Sequence, residues 1–235
     1  MKTLKILSIV TCFIIVISLP AVSQVVQDHI KENTLIIPTV CWEEKLKSTS
    51  SQGQVLCVNR HTLKSKVVNG KIASSFTAAY CDSYIDILGC TKEEDPTFFL
   101  VSKYLQFLKN KNVTTSYANG ENGFNTIQFD FNNNTYSLAH KVLMKYEKNQ
   151  SLYNITLCKN DACNEIVRLV CDDPYQAGGN PTLVWAGDID NDKELDLLLI
   201  YNALKFTRNV TLFLSSYADK GKLVKPIAKN TLISD

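Results

Sequence analysis

Residues 186 to 199, "AGDIDNDKELDLLL", set four aspartates at alternate or nearly alternate places just ahead of an apolar run. Alternate side chains of a tightly curled loop point inward, so this spacing offers several oxygens to one hard cation without burying an unpaired charge. With Asp188 as position one of a calcium loop, Asp190 is position three, Asp192 five, the Glu194 carbonyl seven and Asp196 nine. That is the ligand order of the first nine places of an EF-hand loop. Position six, normally Gly so that the chain can turn with positive φ, is Lys193. A non-Gly residue there costs about 1–2 kcal/mol. Placed wholly on binding, that penalty is roughly a tenfold loss of affinity, which leaves millimolar calcium as a ligand. As a merely solvated acidic turn, four such aspartates would repel one another. One bound Ca2+ is therefore expected, in preference to Mg2+, which keeps its water and avoids crowded protein cages. "DFNNNT" offers Asp130, Asn132 and Asn134 at positions one, three and five, but position nine falls on Leu138. It reads as a hairpin turn.

"GDIDNDKELDLLL" resembles the FG-GAP or VCBS-type calcium loop, G-D-x-D-x-D-G-x-x-D-L. The match covers Asp188, Asp190, Asp192, the Glu194 backbone and Asp196 and fails at Lys193. The longer stretch from "LVWAGDID" to "VTLFLSSYADKGKLVKPIA", about a quarter of the chain, resembles the C-terminal part of secreted proteins of Bacteroidetes-type bacteria. The resemblance implies a calcium that holds a blade or hairpin together and says little about activity.

Other chemistry is sparse. His29, His61 and His140 are the only histidines, and none has a partner nearby in sequence. A Cys57 and His61 dyad could serve nucleophilic catalysis, but a disulfided Cys57 is the stronger expectation in an exported chain. The acid pairs Glu43 with Glu44, Glu93 with Glu94, and Asp172 with Asp173 would act on glycosides only if folding placed them correctly. A zinc site from Cys158, Cys163, Cys171 and His140 lacks CxxC or HxxxH spacing. No G-x-S-x-G elbow, H-E-x-x-H or Gly-rich phosphate loop occurs. Trp42 and Trp185 are candidates for a sugar-stacking face, with core packing favoured for Trp185. Five N-x-S/T matches begin at Asn112, Asn133, Asn149, Asn154 and Asn209, and in an Asn-rich chain they can arise by chance.

The elements that must position the acidic loop read as strands. "TIQFDF", "YSLAHKVLMKY", "LYNITLC" and "CNEIVRLVC" are short apolar segments broken by "NNNT", "KNQS" and "KNDA", an antiparallel meander. "TLVWAGDID", "LDLLLIY" and "VTLFLSS" add further strands. The fold class expected is mainly β, with antiparallel meander or sandwich-like sheets and a C-terminal calcium-loop hairpin. The alternative is α+β, with one helix near 97–110, because "PTFFLVSKYLQFLKNKN" fits a strand pair or a helix equally well. The "DDPYQAGGNP" loop at 172–181 is the candidate sub-boundary within a single domain spanning 24–235.

Lys2 and Lys5 precede an apolar run from Ile6 to Leu19, with small residues at Ala21 and Ser23. Residues 1–23 therefore read as a secretory signal peptide cut between Ser23 and Gln24, with a membrane anchor as the alternative. Its removal takes two lysines and no acid from 25 basic and 23 acidic residues, leaving no net charge and no field that favours nucleic acid. No later apolar stretch is long enough to span a bilayer. In an exported chain the seven remaining cysteines read as disulfides with one left over, so thiol exchange by the odd one stays open. Cys158 with Cys163 is the first expected pair, flanking the "KNDA" turn. Cys81 with Cys90 and Cys41 with Cys57 follow. The function expected is a secreted or periplasmic calcium-binding module that is structural or meets a protein or glycan surface. The alternative is a hydrolase whose residues converge only in the fold.

Overall fold

The computed structural model describes residues 33–36, 52–59, 61–78, 81–88, 90–93, 95–102, 111–118, 123–146, 150–172, 180–202 and 207–233. These form strands and, among the described residues, no helix. One sheet has ten strands: β1 (Asn33–Ile36), β2 (Gln52–Val58), β3 (Ser65–Ala78), β4 (Cys81–Leu88), β5 (Asp95–Ser102), β6 (Lys111–Tyr117), β11 (Thr182–Asp188), β12 (Asp196–Asn202), β13 (Thr207–Leu214) and β14 (Lys225–Ile233). The other has four: β7 (Thr126–Phe131), β8 (Asn134–Lys145), β9 (Gln150–Lys159) and β10 (Ala162–Asp172).

The four-stranded sheet is the expected meander, in the order β10-β9-β8-β7. Its first turn takes Asn132 and Asn133 through φ of 45° and 59°, the paired left-handed conformation of a two-residue hairpin, which Asn tolerates better than most side chains. Along β9 the residues alternate, so that Ser151, Tyr153, Ile155 and Leu157 face inward.

The large sheet runs β1-β5-β2-β3-β6-β11-β12-β13-β14, with β4 on the far part of β3, and curls until β1 lies against β14. Strand β12 is therefore buried on both faces. Leu197, Leu199 and Tyr201 pack with Tyr136, Leu138, Tyr153 and Leu157 of the smaller sheet. Leu198 and Ile200 pack with Val55, Leu56 and Val67 of the curled sheet's other half. This explains why "LDLLLIY" is nearly all apolar where an antiparallel strand commonly alternates. Trp185 is fully buried in the second core, where its Nε1 donates to Thr115 Oγ1 at 2.8 Å, so it is no sugar platform. Trp42 lies outside the described residues.

The meander is inserted between two neighbours, because β6 and β11 pair directly: Gly187 opposes Thr115 and Asp188 opposes Thr114. Both chain crossings lie at one end of the meander. There Gly123 bridges Thr182, and Phe124 N donates to Pro181 O at 2.8 Å.

Three expectations need correction. The helix near 97–110 does not form over its first part: residues 95–102 are β5, paired on one side with β1 and on the other with β2. Two-sided pairing settles an apolar aromatic run whose periodicity alone was ambiguous; residues 103–110 lie outside the described residues. Cys57 is bonded to Cys90, so neither Cys41–Cys57 nor Cys81–Cys90 is a pair. The chain entering β5 passes the end of β2, where Cys57 opposes Pro96, and this brings Cys90 close. Cys81 opens β4, whose 8 residues run away from it toward Cys90, a separation of about 25 Å at strand rise. Cys158 is bonded to Cys163 as expected; the two are direct cross-strand partners with Cα atoms 4.0 Å apart. These bonds also remove the Cys57 and His61 dyad and the four-ligand zinc site. Residues 1–23 and Cys41 lie outside the described residues. Among the described residues, no helix is long and apolar enough to cross a membrane.

Candidate metal site at the β11–β12 turn

Asp188 ends β11 and Asp196 begins β12, so the acidic loop is a hairpin connection anchored on two adjacent, fully packed strands. Gly187 permits its approach. A Cβ there would stand 2.2 Å from Thr114 O and 2.6 Å from Trp185 Cζ2. The glycine of the "GD" step is thus required by contact with β6.

Beyond Asp188 the chain wraps around that carboxylate. Asp188 Oδ1 accepts from Asn191 N at 2.5 Å and Asp192 N at 3.1 Å, and Oδ2 accepts from Lys193 N at 2.9 Å. Asn191 and Lys193 take φ of 64° and 71°, so Lys193 adopts the left-handed conformation that position six demands. Asp196 is fully buried; its Oδ2 accepts from Ile189 N at 2.9 Å and its Oδ1 from Ser215 N at 2.9 Å. Asp188, Asp190 and Asp196 each present a carboxylate oxygen within 4.8 Å of the others.

Asp192 and Glu194 stand apart from this triad. Asp192 Oδ1 accepts from Glu194 N at 2.7 Å and Oδ2 from Ser215 Oγ at 2.8 Å. The Glu194 carboxylate turns across to the smaller sheet, pairing with Lys159 Nζ at 2.6 Å and lying 3.4 Å from the Tyr136 hydroxyl. Its side chain is therefore committed away from the triad.

Burial pushes the Asp196 carboxyl well above the usual carboxylate range, and the charge of Asp190 pushes the same way against the Ser215 and Ile189 N–H groups. Asp188 is raised by burial too, with the charges of Asp192 and Asp190 opposing the N–H groups of Lys193 and Asn191. The charges acting on both groups are thus negative. An all-oxygen donor set of this kind suits a hard cation, and the acidic triad can hold a metal ion.

Sequence reading missed the side chains of other elements that hold the loop. Ser216 Oγ donates to Asp190 Oδ2 at 2.5 Å, and Ser215 Oγ lies 3.0 Å from Asp196 Oδ1. Asn132 Nδ2 donates to the Lys193 carbonyl at 2.7 Å. "DFNNNT" thus abuts the loop as a turn, with Asp130 occupied by Thr135 Oγ1 at 2.8 Å. These partners are 19 to 61 residues away, beyond the reach of any local pattern; only "SS" directly after an apolar strand hints at them.

The described histidines do not join the site. His61 is exposed, and His140 packs edge-on against Tyr153, its basicity lowered by burial. His29 lies outside the described residues. Among the described residues, fold and site define an antiparallel all-β architecture with two disulfides and an acidic triad that can hold a metal ion. The chain matches no protein-family profile, no curated protein and no solved structure.

Proposed function

We propose that this is an exported calcium-binding module that works by binding a protein or glycan surface, its calcium ordering the β11–β12 turn. The observation that carries the reading is the triad of Asp188, Asp190 and Asp196, two of them buried, with the charges of neighbouring aspartates acting on both buried members. Calcium is the choice among hard cations because the carboxylates alternate along a curled loop and the Glu194 carbonyl falls at position seven. The left-handed Lys193 supports the same loop geometry. Two disulfides favour an oxidising compartment. Binding is preferred to catalysis because Cys57 is held in a disulfide and neither described histidine faces the acidic triad.

Thermal melts of the exported protein in chelator, Ca2+ or Mg2+ test this. A site filled to 100 times its dissociation constant adds about 2.7 kcal/mol, which is about 5–10 °C for a domain of this size. Calcium should raise the wild-type melt while Asp188→Ala and Asp190→Ala stay unresponsive. Identical melts for all three proteins in all three buffers would overturn the reading.

A further inference from the structure

The meander β7–β10 is joined to the large sheet covalently at one end only. Its chain enters through 123–125, where Gly123 bridges Thr182 and Phe124 is bonded to Pro181, and it leaves β10 toward Asn180. Two of its three hairpin tips, β7–β8 and β9–β10, lie at the opposite end, and both meet the acidic loop. Asn132 of the β7–β8 tip holds the Lys193 carbonyl at 2.7 Å, and Lys159 beside the β9–β10 tip holds the Glu194 carboxylate at 2.6 Å. A second set of contacts runs through the β13–β14 turn. Ser215 and Ser216 grip Asp192, Asp196 and Asp190, while eight residues on Leu223 N donates to Asn164 of β10 at 2.8 Å. Leu195, the residue that ends the loop, is buried between the two sheets beside Leu138 and Leu157.

The Asn132 and Lys159 contacts therefore hang on a loop whose own shape depends on crowded carboxylates and on left-handed Asn191 and Lys193, while Ser116 Oγ, donating to the Asp130 carbonyl, and Leu223 N, donating to Asn164, hold the same end independently of it. Like charges this close oppose the loop unless a cation lies among them. Relaxing the loop withdraws the Lys193 carbonyl and the Glu194 carboxylate from their partners and loosens Leu195. We infer that metal occupancy of the β11–β12 turn latches the β7–β8 and β9–β10 tips more tightly onto the large sheet, through Asn132 and Lys159. The inference rests on the calcium reading above and adds a regulated element to it: the tips, already seated on the core shared by Tyr136, Leu138, Leu157 and Leu197, are held more rigidly with the ion than without it.

Hydrogen–deuterium exchange of the full protein with and without Ca2+, run beside calorimetric Ca2+ titration, tests it. In the wild type, Ca2+ should bind and slow exchange about tenfold at the tips, 131–136 and 157–164, as well as in 188–196. Asn132→Ala/Lys159→Met should still bind Ca2+ and slow in 188–196, with the response at the tips lost. Binding with slowing confined to 188–196 and 215–216 in the wild type would overturn the latch and leave the calcium site standing. Full tip protection in the double variant would overturn the assigned contacts. Absence of a calorimetric signal in the wild type would remove the calcium reading, and the latch with it.

Discussion

Replacing Lys193 with Gly is the sharpest test of the loop's backbone. Lys193 sits at φ 71° with its N–H on Asp188 and its carbonyl on Asn132, while its exposed side chain makes no hydrogen bond or ion pair among the described residues. Removing the side chain therefore sacrifices no polar contact. An L-residue in this conformation costs about 1–2 kcal/mol, and the extra freedom that Gly gives the unfolded chain takes back about 0.5–1 kcal/mol. The net gain is about 0.5–1 kcal/mol, which is about two- to fivefold in calcium affinity if the loop orders only on binding. If the loop is already ordered without the ion, the same energy raises the metal-free melt by about 1–4 °C. Lys193→Ala separates backbone from charge, since it removes the ammonium and keeps the strained φ. Calorimetric affinities and metal-free melts of the three proteins should place Gly above Ala in one quantity or the other. Equal gains for Ala and Gly would show that the ammonium, and not the left-handed backbone, is what opposes the ion.

Asp196 gives a pH signature. Its folded carboxyl is raised by burial, so the folded metal-free protein binds more protons than the unfolded chain from about pH 4 upward. Stability is then lost as pH rises toward the folded value. Metal-free wild type should lose stability with rising pH more steeply than Asp196→Asn, and saturating calcium should remove that loss from the wild type. Reducing the Cys57–Cys90 bond, with a sequence separation of 33, should cost about 3–4 kcal/mol in urea unfolding. Cys158–Cys163, with a separation of 5, should cost about 2 kcal/mol. Gly187→Ala drives a methyl against Thr114 O, 2.2 Å from its ideal place, so β6 and β11 must part; a loss of about 2–4 kcal/mol is expected, read from the same denaturation curves.

The meander was legible because its signals are local. "NNNT", "KNQS" and "KNDA" each separate consecutive antiparallel strands, and Cys158 with Cys163 follows from the last of these turns. The acidic spacing located Asp188, Asp190 and Asp196 for the same reason. What sequence could not supply was sheet order. Cys57 meets Cys90 only because β2 pairs with β5, and Ser215 meets Asp196 only because β13 pairs with β12. The ambiguous "PTFFLVS" was decided by neighbours on both sides. Long-range pairing of this kind leaves no periodic trace in the chain.

The insertion of the meander also sets an order of events in folding. β6 and β11 are partners separated by residues 118–181, so their pairing must close a long loop, whereas each hairpin of β7–β10 forms from adjacent segments and forms sooner. With β7–β10 already folded, the stretch left to close shrinks to 118–125 and 173–181, which lowers the closure cost by about 1 kcal/mol. Synthesis runs from the N-terminus, so β11 to β14 emerge last and find β6 waiting with its partner edge open. Until then that edge is a template for other chains, and the interval in which it stays uncovered is the period of greatest aggregation risk.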